Sequence, residues 1–236
     1  MSSFCGGLAV ALGLRPANAL LNDMNPHLIN FYYWLNRGLS ITLEMRYDRD
    51  LYYQHRQHFN QLIASNQHQT SIAAELFYYL NRTGYNGLCR FNRSGAFNVP
   101  FGKHTSVTYV TDFNKYRGVF DNWGLRVGRF EELTVTADDF IYADPPYDVE
   151  FVSYSKEGFS WSDQVRLAEW LEAQPCPVIL SNQATPRIIE LYQRIGFMIT
   201  YVNSPRRISS DGNRTPAREI LAFKELTLKH IEGAQA

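Results

Sequence analysis

The run Asp144-Pro145-Pro146-Tyr147 brings together an acidic acceptor, two imino acids and an aromatic ring. The two prolines remove two backbone N–H donors and fix φ, so their carbonyls stand on rigid backbone outside any strand ladder. This set suits an exocyclic amine such as N6 of adenine. The Asp144 carboxylate and the Pro145 carbonyl can accept its two hydrogens, which leaves the nitrogen lone pair directed at an electrophile. Tyr147 can stack on the base. The same tetrapeptide also reads as a simple Pro-Pro turn. Its setting favours chemistry, because Phe140-Ile141-Tyr142-Ala143 before it is an apolar strand. In α/β sheets ligands bind beyond the carboxyl ends of the strands. Asp23 closes a second such strand, Ala19-Leu20-Leu21-Asn22-Asp23, which puts it on the same rim.

Other reactive residues fit no site. Pro175-Cys176 stands at the start of a strand, the wrong end for catalysis. His55 and His58 lie one helical turn apart without a placed carboxylate, so they read as surface residues and no metal is expected. The three cysteines, Cys5, Cys89 and Cys176, match neither a disulfide framework nor a zinc site and suit a reducing cytoplasm. Leu8 to Leu14 is apolar, but no Lys or Arg precedes it, so no secretory signal is expected. No apolar run approaches the roughly 18 residues of a membrane span. A cytoplasmic monomer is the expectation.

The elements that must position these residues follow from punctuation and periodicity. Asn25-Pro26 opens a helix with Leu28, Phe31, Tyr32 and Leu35 at helical spacing, and Gly38 stops it. Residues 48–64 and 70–80 read as two more helices. Ser160 caps a helix carrying Val165, Ala168 and Leu171, and Thr185-Pro186 opens another that closes at Gly196. Residues 177–181, 197–202 and 219–223 read as strands. Strands alternating with amphipathic helices imply an α/β sheet, largely parallel. Residues 81–101 are irregular and rich in Gly, Asn, Arg and aromatics, too long for an ordinary connection.

The 236 residues, 45% hydrophobic and 19% charged, can bury a sizeable core and exclude global disorder. Net charge is zero but segregated. Residues 81–129 carry eight basic and two acidic residues, whereas residues 130–205 carry four basic and twelve acidic. The basic middle is either a polyanion-binding surface or a solvated loop balanced by acidic helices.

Several segments together resemble the Dam-type, or D12-class, N6-adenine DNA methyltransferases. Phe4-Cys5-Gly6-Gly7 is similar to the end of that family's cofactor motif, and Asn22-Asp23-Met24-Asn25 to its acidic second-strand motif. Residues 80–92 and 95–102 resemble its target-recognition region, Ala143 to Tyr147 its catalytic motif, and Arg207-Ile208-Ser209-Ser210 with Glu219-Ile220-Leu221-Ala222 its C-terminal hairpin. The resemblance implies a Rossmann-like S-adenosylmethionine-dependent methyltransferase sheet. Residues 1–47 and 105–236 would form the catalytic domain, and residues 48–104 an inserted helical and irregular target-recognition subdomain. It implies methyl transfer to a flipped adenine in double-stranded DNA, at Asp144, Pro145, Pro146 and Tyr147.

The same resemblance implies the remaining roles. Phe4 packs on the cofactor adenine with Phe130 flanking it, Gly6 and Gly7 admit its amino-acid part, and Asp23 accepts its ribose hydroxyls. Arg90 reads guanine, Leu88 and Pro100 make apolar base contacts, Tyr85 wedges into the stack and Asn86 touches phosphate. Arg82, Arg93 and Lys103 position the duplex through phosphate. The alternatives are an inactive DNA-binding remnant, or methylation of RNA or of a protein amide. The family begins with a Lys-Trp-x-Gly-Gly-Lys loop, a helix and a central strand, where this sequence has Met1-Ser2-Ser3-Phe4. Two unpaired strand edges, marginal stability and weak cofactor binding are the expectation from that difference.

Overall fold

The computed structural model describes residues 1–148, 159–204 and 217–224. The resemblance of Arg207-Ile208-Ser209-Ser210 lies outside them. In chain order the elements are α1 (Ala9–Leu14), β1 (Ala19–Asp23), α2 (Pro26–Asn36), α3 (Arg49–Ala64), α4 (Ser71–Thr83), β2 (Trp123–Val127), β3 (Ile141–Ala143), α5 (Trp161–Glu172), β4 (Val178–Gln183), α6 (Pro186–Ile195), β5 (Met198–Ser204) and β6 (Ala217–Lys224). They fall into two compact units, one of Met1–Met24 with 128–204 and 217–224, the other of Asn25–Val127. Residues 48–104 all lie in the second unit, which also takes in α2 and β2.

The first unit is a mixed α/β layer structure. Its four-stranded sheet has the order β3-β4-β6-β5. β3 and β4 are parallel, with Ala143 opposite Leu180, while β6 runs antiparallel to both β4 and β5. The sheet is thus less parallel than the alternation of elements suggests. Apolar periodicity is the same for either strand direction, so the sequence does not carry that information. On the other side of β3, Ser2 bridges in parallel both to Tyr142 and to Leu21 of β1. Its N–H donates to the Leu20 carbonyl at 2.8 Å, and the Tyr142 N–H donates to Met1 at 2.9 Å. The two edges expected to stand unpaired are therefore joined through Ser2.

The core of this unit gathers Ile141, Val178, Leu180, Ile220 and Ala222 of the sheet with Leu167 and Leu171 of α5 and Ile188, Leu191 and Tyr192 of α6. The cap foreseen at Ser160 forms, and Thr185 caps the helix expected to open at Thr185-Pro186. Ser160 and Asp163 make a reciprocal capping box, and Thr185 Oγ1 accepts from the Ile188 N–H.

The second unit packs α3 and α4 around Tyr52, Phe59, Leu76, Phe77, Tyr79 and Leu80, and the irregular segment contributes Phe97 and Val99 to the same core. That segment has almost no ladder of its own. Isolated bridges join Gly84 to Phe101 and Phe91 to Phe97. A few further backbone bonds, such as Asn98 N–H to the Arg90 carbonyl at 3.1 Å and Asn92 N–H to the Ala96 carbonyl at 2.9 Å, are supplemented by side chains. Asn60 of α3 accepts from the Phe97 N–H at 2.8 Å and donates to the Phe97 carbonyl at 3.1 Å. The Tyr52 hydroxyl donates to the Val99 carbonyl at 2.9 Å. Asn92 Oδ1 accepts from the Ser94 and Ala96 N–H groups and closes the turn between the two phenylalanines.

Candidate active site

β1 ends at Asp23 and β3 is followed at once by Asp144. Both line one cavity of about 680 Å³ in the first unit. Pro145, Pro146 and Tyr147 line it too, as do Phe4, Gly6 and Phe130. Gly7 is exposed and is not part of the wall. The cavity lies within the size range of small-molecule sites.

Its aromatic end is built by contact. The Phe4 ring lies 6.0 Å from Phe130 and 5.5 Å, edge-on, from Phe159, and Phe130 packs 5.4 Å from Trp170. Asn22, fully inside, donates to the Ser3 carbonyl at 3.3 Å and to the Gly128 carbonyl at 2.9 Å, so one amide ties two parts of the rim together. Ser3 is 1% exposed, lines the cavity, and its hydroxyl has no hydrogen-bond partner. An orphaned buried hydroxyl costs about 1–3 kcal/mol, which a ligand with a polar group would recover. Gly6 has φ +46°, and a Cβ there would meet nothing within 4 Å. Its glycine is required by the left-handed backbone, and crowding by protein atoms plays no part. A nucleoside-like group suits this wall, since aromatic rings and the Asp23 carboxylate line the same cavity.

A charged cluster edges the cavity. Arg166 of α5 bonds Glu131 at 2.9 Å and Asp163 at 3.1 Å, with Arg129 beside Glu131 at 3.4 Å. Hydrogen bonds from Ser160, with Arg166 nearby, hold the Asp163 carboxyl below its usual range. For Glu131, burial pushes upward, but a backbone hydrogen bond and the arginines outweigh it and the carboxyl lies below its usual value.

The tetrapeptide is held from two sides. Ser181 of β4 donates to Asp144 Oδ1 at 2.6 Å. Gln164 of α5 donates to the Pro146 carbonyl at 2.8 Å, and Asn182 of β4 donates to Gln164 Oε1 at 3.1 Å and to the Tyr192 hydroxyl at 2.9 Å. Asn182 Oδ1 accepts from the Asp148 N–H at 3.0 Å. Arg187 grips the Asp148 carboxylate through Nε at 2.6 Å and through Nη2, and Thr185 donates to it at 3.1 Å. Among the described residues no hydrogen bond reaches the Pro145 carbonyl. Tyr147 is half-buried. Burial, then the charge of Asp144, pushes its phenol up.

Sequence reasoning missed Ser3, Gln164, Ser181, Asn182 and Arg187. Ser3 is the neighbour of Phe4, where its small polar side chain carried no signal; the other four are distant in sequence from the Asp-Pro-Pro-Tyr turn that they support and belong to no motif.

The residues read as DNA contacts stand in the second unit, on or beside the irregular segment. Tyr85 is half-buried in a tight turn, and its N–H donates to the Pro100 carbonyl at 2.9 Å. Asn86 in that turn has φ 52°, a conformation that asparagine tolerates. Leu88 is 38% exposed, and Arg90 and Pro100 are exposed. The Arg90 guanidinium is braced by Asn98, through Oδ1 at 2.8 Å and the main-chain carbonyl at 3.4 Å. Among the described residues no group of His, Cys, Asp and Glu could hold a metal, and no helix is long and apolar enough to cross a membrane.

Residues 1–208 match the D12 class N6 adenine-specific DNA methyltransferase signature. The chain belongs to that family. It is 34% identical to the Retron Ec67 DNA adenine methylase of Escherichia coli over 93% of this chain and 80% of that protein. It is 32% identical to the DNA N-6-adenine-methyltransferase of Escherichia phage P1 over 93% of this chain and 31% of that protein. It is 31% identical to the DNA adenine methylase of Escherichia coli strain K12 over 93% of this chain and 84% of that protein.

The charged cluster makes a pH prediction. Glu131 and Asp163 have lowered values in the fold, so the stability they contribute is full above the ordinary carboxylate range and is lost as pH falls through the lowered values. Arg166→Met should melt below the wild type at neutral pH, and the two melting temperatures should converge in acid. A gap that persists unchanged in acid would show that Arg166 acts through packing alone.

Proposed function

We propose that this protein transfers a methyl group from S-adenosylmethionine to N6 of an adenine in double-stranded DNA, at specific sites. The observation that carries this reading is a carboxylate, Asp144, on a Pro-Pro turn whose Pro145 carbonyl accepts no bond among the described residues, beside a cavity walled by Asp23, Phe4 and Phe130. S-adenosylmethionine, when bound, supplies a methyl group on a sulfonium already activated for direct displacement. Asp144 and the Pro145 carbonyl accept the two amine hydrogens and orient the nitrogen lone pair along the line of displacement. Asp144 also lies beside the nitrogen that must shed a proton after transfer. Tyr147 stacks on the base. Phe4 and Phe130 would hold the cofactor adenine, Asp23 its ribose hydroxyls, and Gly6 would leave room for its amino-acid part, whereas Gly7 stands outside the wall. With reactant and groups so placed, orientation supplies most of the rate.

N6 is paired within the duplex, so the target adenine must be extruded. The second unit, with eleven basic and six acidic residues among positions 25–127, supplies the DNA-binding surface in this reading. Arg90, braced by Asn98, reads guanine through O6 and N7. Leu88 and Pro100 touch bases, Asn86 touches phosphate, and Tyr85 wedges into the stack. The sheet of the first unit is Rossmann-like in this account, and what supports that reading is the parallel pair β3 and β4 with Asp144 directly beyond the carboxyl end of β3.

Asp144→Ala should lose at least about a hundredfold in turnover while its affinity for duplex DNA stays within a fewfold of wild type. Retention of more than about a tenth of the wild-type rate would remove Asp144 from the chemistry. Arg90→Ala should relax sequence choice by about 1–3 kcal/mol at one base pair, read as rates on a preferred site and its single-base variants. A uniform loss on every site would make Arg90 a phosphate contact.

A further inference from the structure

We propose that Ser181 is a positioning residue whose hydroxyl decides which oxygen of Asp144 meets the amine. The inference rests on the adenine-N6 reading above and extends it to a residue outside the motif. Ser181 is 3% exposed and stands in mid-strand in β4, between Leu180, which is paired with Ala143, and Asn182. Its Oγ lies 2.6 Å from Asp144 Oδ1 and 3.2 Å from the Ala143 carbonyl. A hydroxyl has one proton, and the shorter contact has the length of a charge-assisted bond to a carboxylate. Among the described residues it is the one hydrogen bond to Asp144.

The direction of that proton is set by the acceptors the hydroxyl can reach. Burial pushes the phenols of Tyr142 and Tyr147 upward, so they stay protonated, and the Tyr147 hydroxyl donates to Glu219 at 3.4 Å. Of the two acceptors within reach of the Ser181 hydroxyl, the carboxylate is charged and nearer, so Ser181 gives its proton to Asp144. Asp144 is otherwise exposed, and its carboxylate would turn about the Cβ–Cγ bond, a broad two-fold torsion. With Oδ1 occupied, Oδ2 is the oxygen presented to the substrate hydrogen. Asn182, on the opposite face of the strand, anchors the backbone of the same turn through Gln164 and Asp148. One dipeptide thus fixes the turn with one residue and the carboxylate plane with the other.

The test is an isosteric pair in the full chain, Ser181→Thr and Ser181→Val, which differ by the hydroxyl alone. Ser181→Thr should keep kcat within about threefold of wild type. Ser181→Val should lose about 10- to 100-fold in kcat, the scale of a misplaced reacting group. KM for duplex DNA, the affinity for S-adenosylhomocysteine and the melting temperature should match between the two. A Ser181→Val enzyme as fast as Ser181→Thr, or one whose loss lies in KM, overturns the proposal. If the added methyl lowers the melting temperature of both, Ser181→Ala carries the same comparison with wild type. A full kcat in that variant then overturns the proposal. Failure of the underlying reading has a different signature: full turnover in Asp144→Ala.

Discussion

A Pro-Pro turn cannot hold itself in place. Pro145 and Pro146 have no N–H to give, so the segment after β3 cannot be pinned by a strand ladder, and its conformation depends on donors brought from elsewhere. The structure brings them from β4 and α5. Gln164 donates to the Pro146 carbonyl, Asn182 holds Gln164 and the Asp148 N–H, and Ser181 takes one oxygen of Asp144. The register that puts Ala143 opposite Leu180 brings Ser181 and Asn182 alongside the turn. The apolar core of Ile141, Val178, Leu180 and Tyr192 fixes that register in turn. Packing, strand pairing and the orientation of one carboxylate are thus a single chain of causes.

The second unit solves the same problem with different side chains. Its irregular segment is held by amides and phenols that imitate a neighbouring strand, Asn60 on Phe97 and Tyr52 on Val99. Phe97 and Val99 anchor the segment in the core, and this leaves Leu88, Arg90 and Pro100 exposed. A loop of this kind can vary its exposed residues without disturbing its support, which is how recognition loops on rigid scaffolds work.

Local signals were legible wherever the cause is local. The caps at Asn25, Asp48, Thr70, Ser160 and Thr185 mark helices that form where expected, because a capping oxygen satisfies N–H groups two or three residues on. The apolar strands that end at Asp23 and just before Asp144 were legible too, and they bring both acids to one cavity. What escaped depends on partners distant in sequence. Ser181 reaches Asp144 across 37 residues, and nothing in Leu180-Ser181-Asn182 distinguishes a support from ordinary strand polarity. The short strand Trp123–Val127 does alternate, with Trp123, Leu125 and Val127 apolar, and the sequence reading missed it. The antiparallel course of β6 is set by chain crossing, which no side-chain pattern records.

The central claim is that this site methylates the exocyclic amine of adenine in duplex DNA. The direct measurement is to incubate the protein with duplex DNA and S-adenosylmethionine carrying a trideuterated methyl group, digest the DNA to nucleosides, and weigh them by mass spectrometry. The account predicts label on N6 of deoxyadenosine and on no other nucleoside. Label on the amine of deoxycytidine, which also offers two hydrogens, or label in RNA but not in DNA, would contradict it.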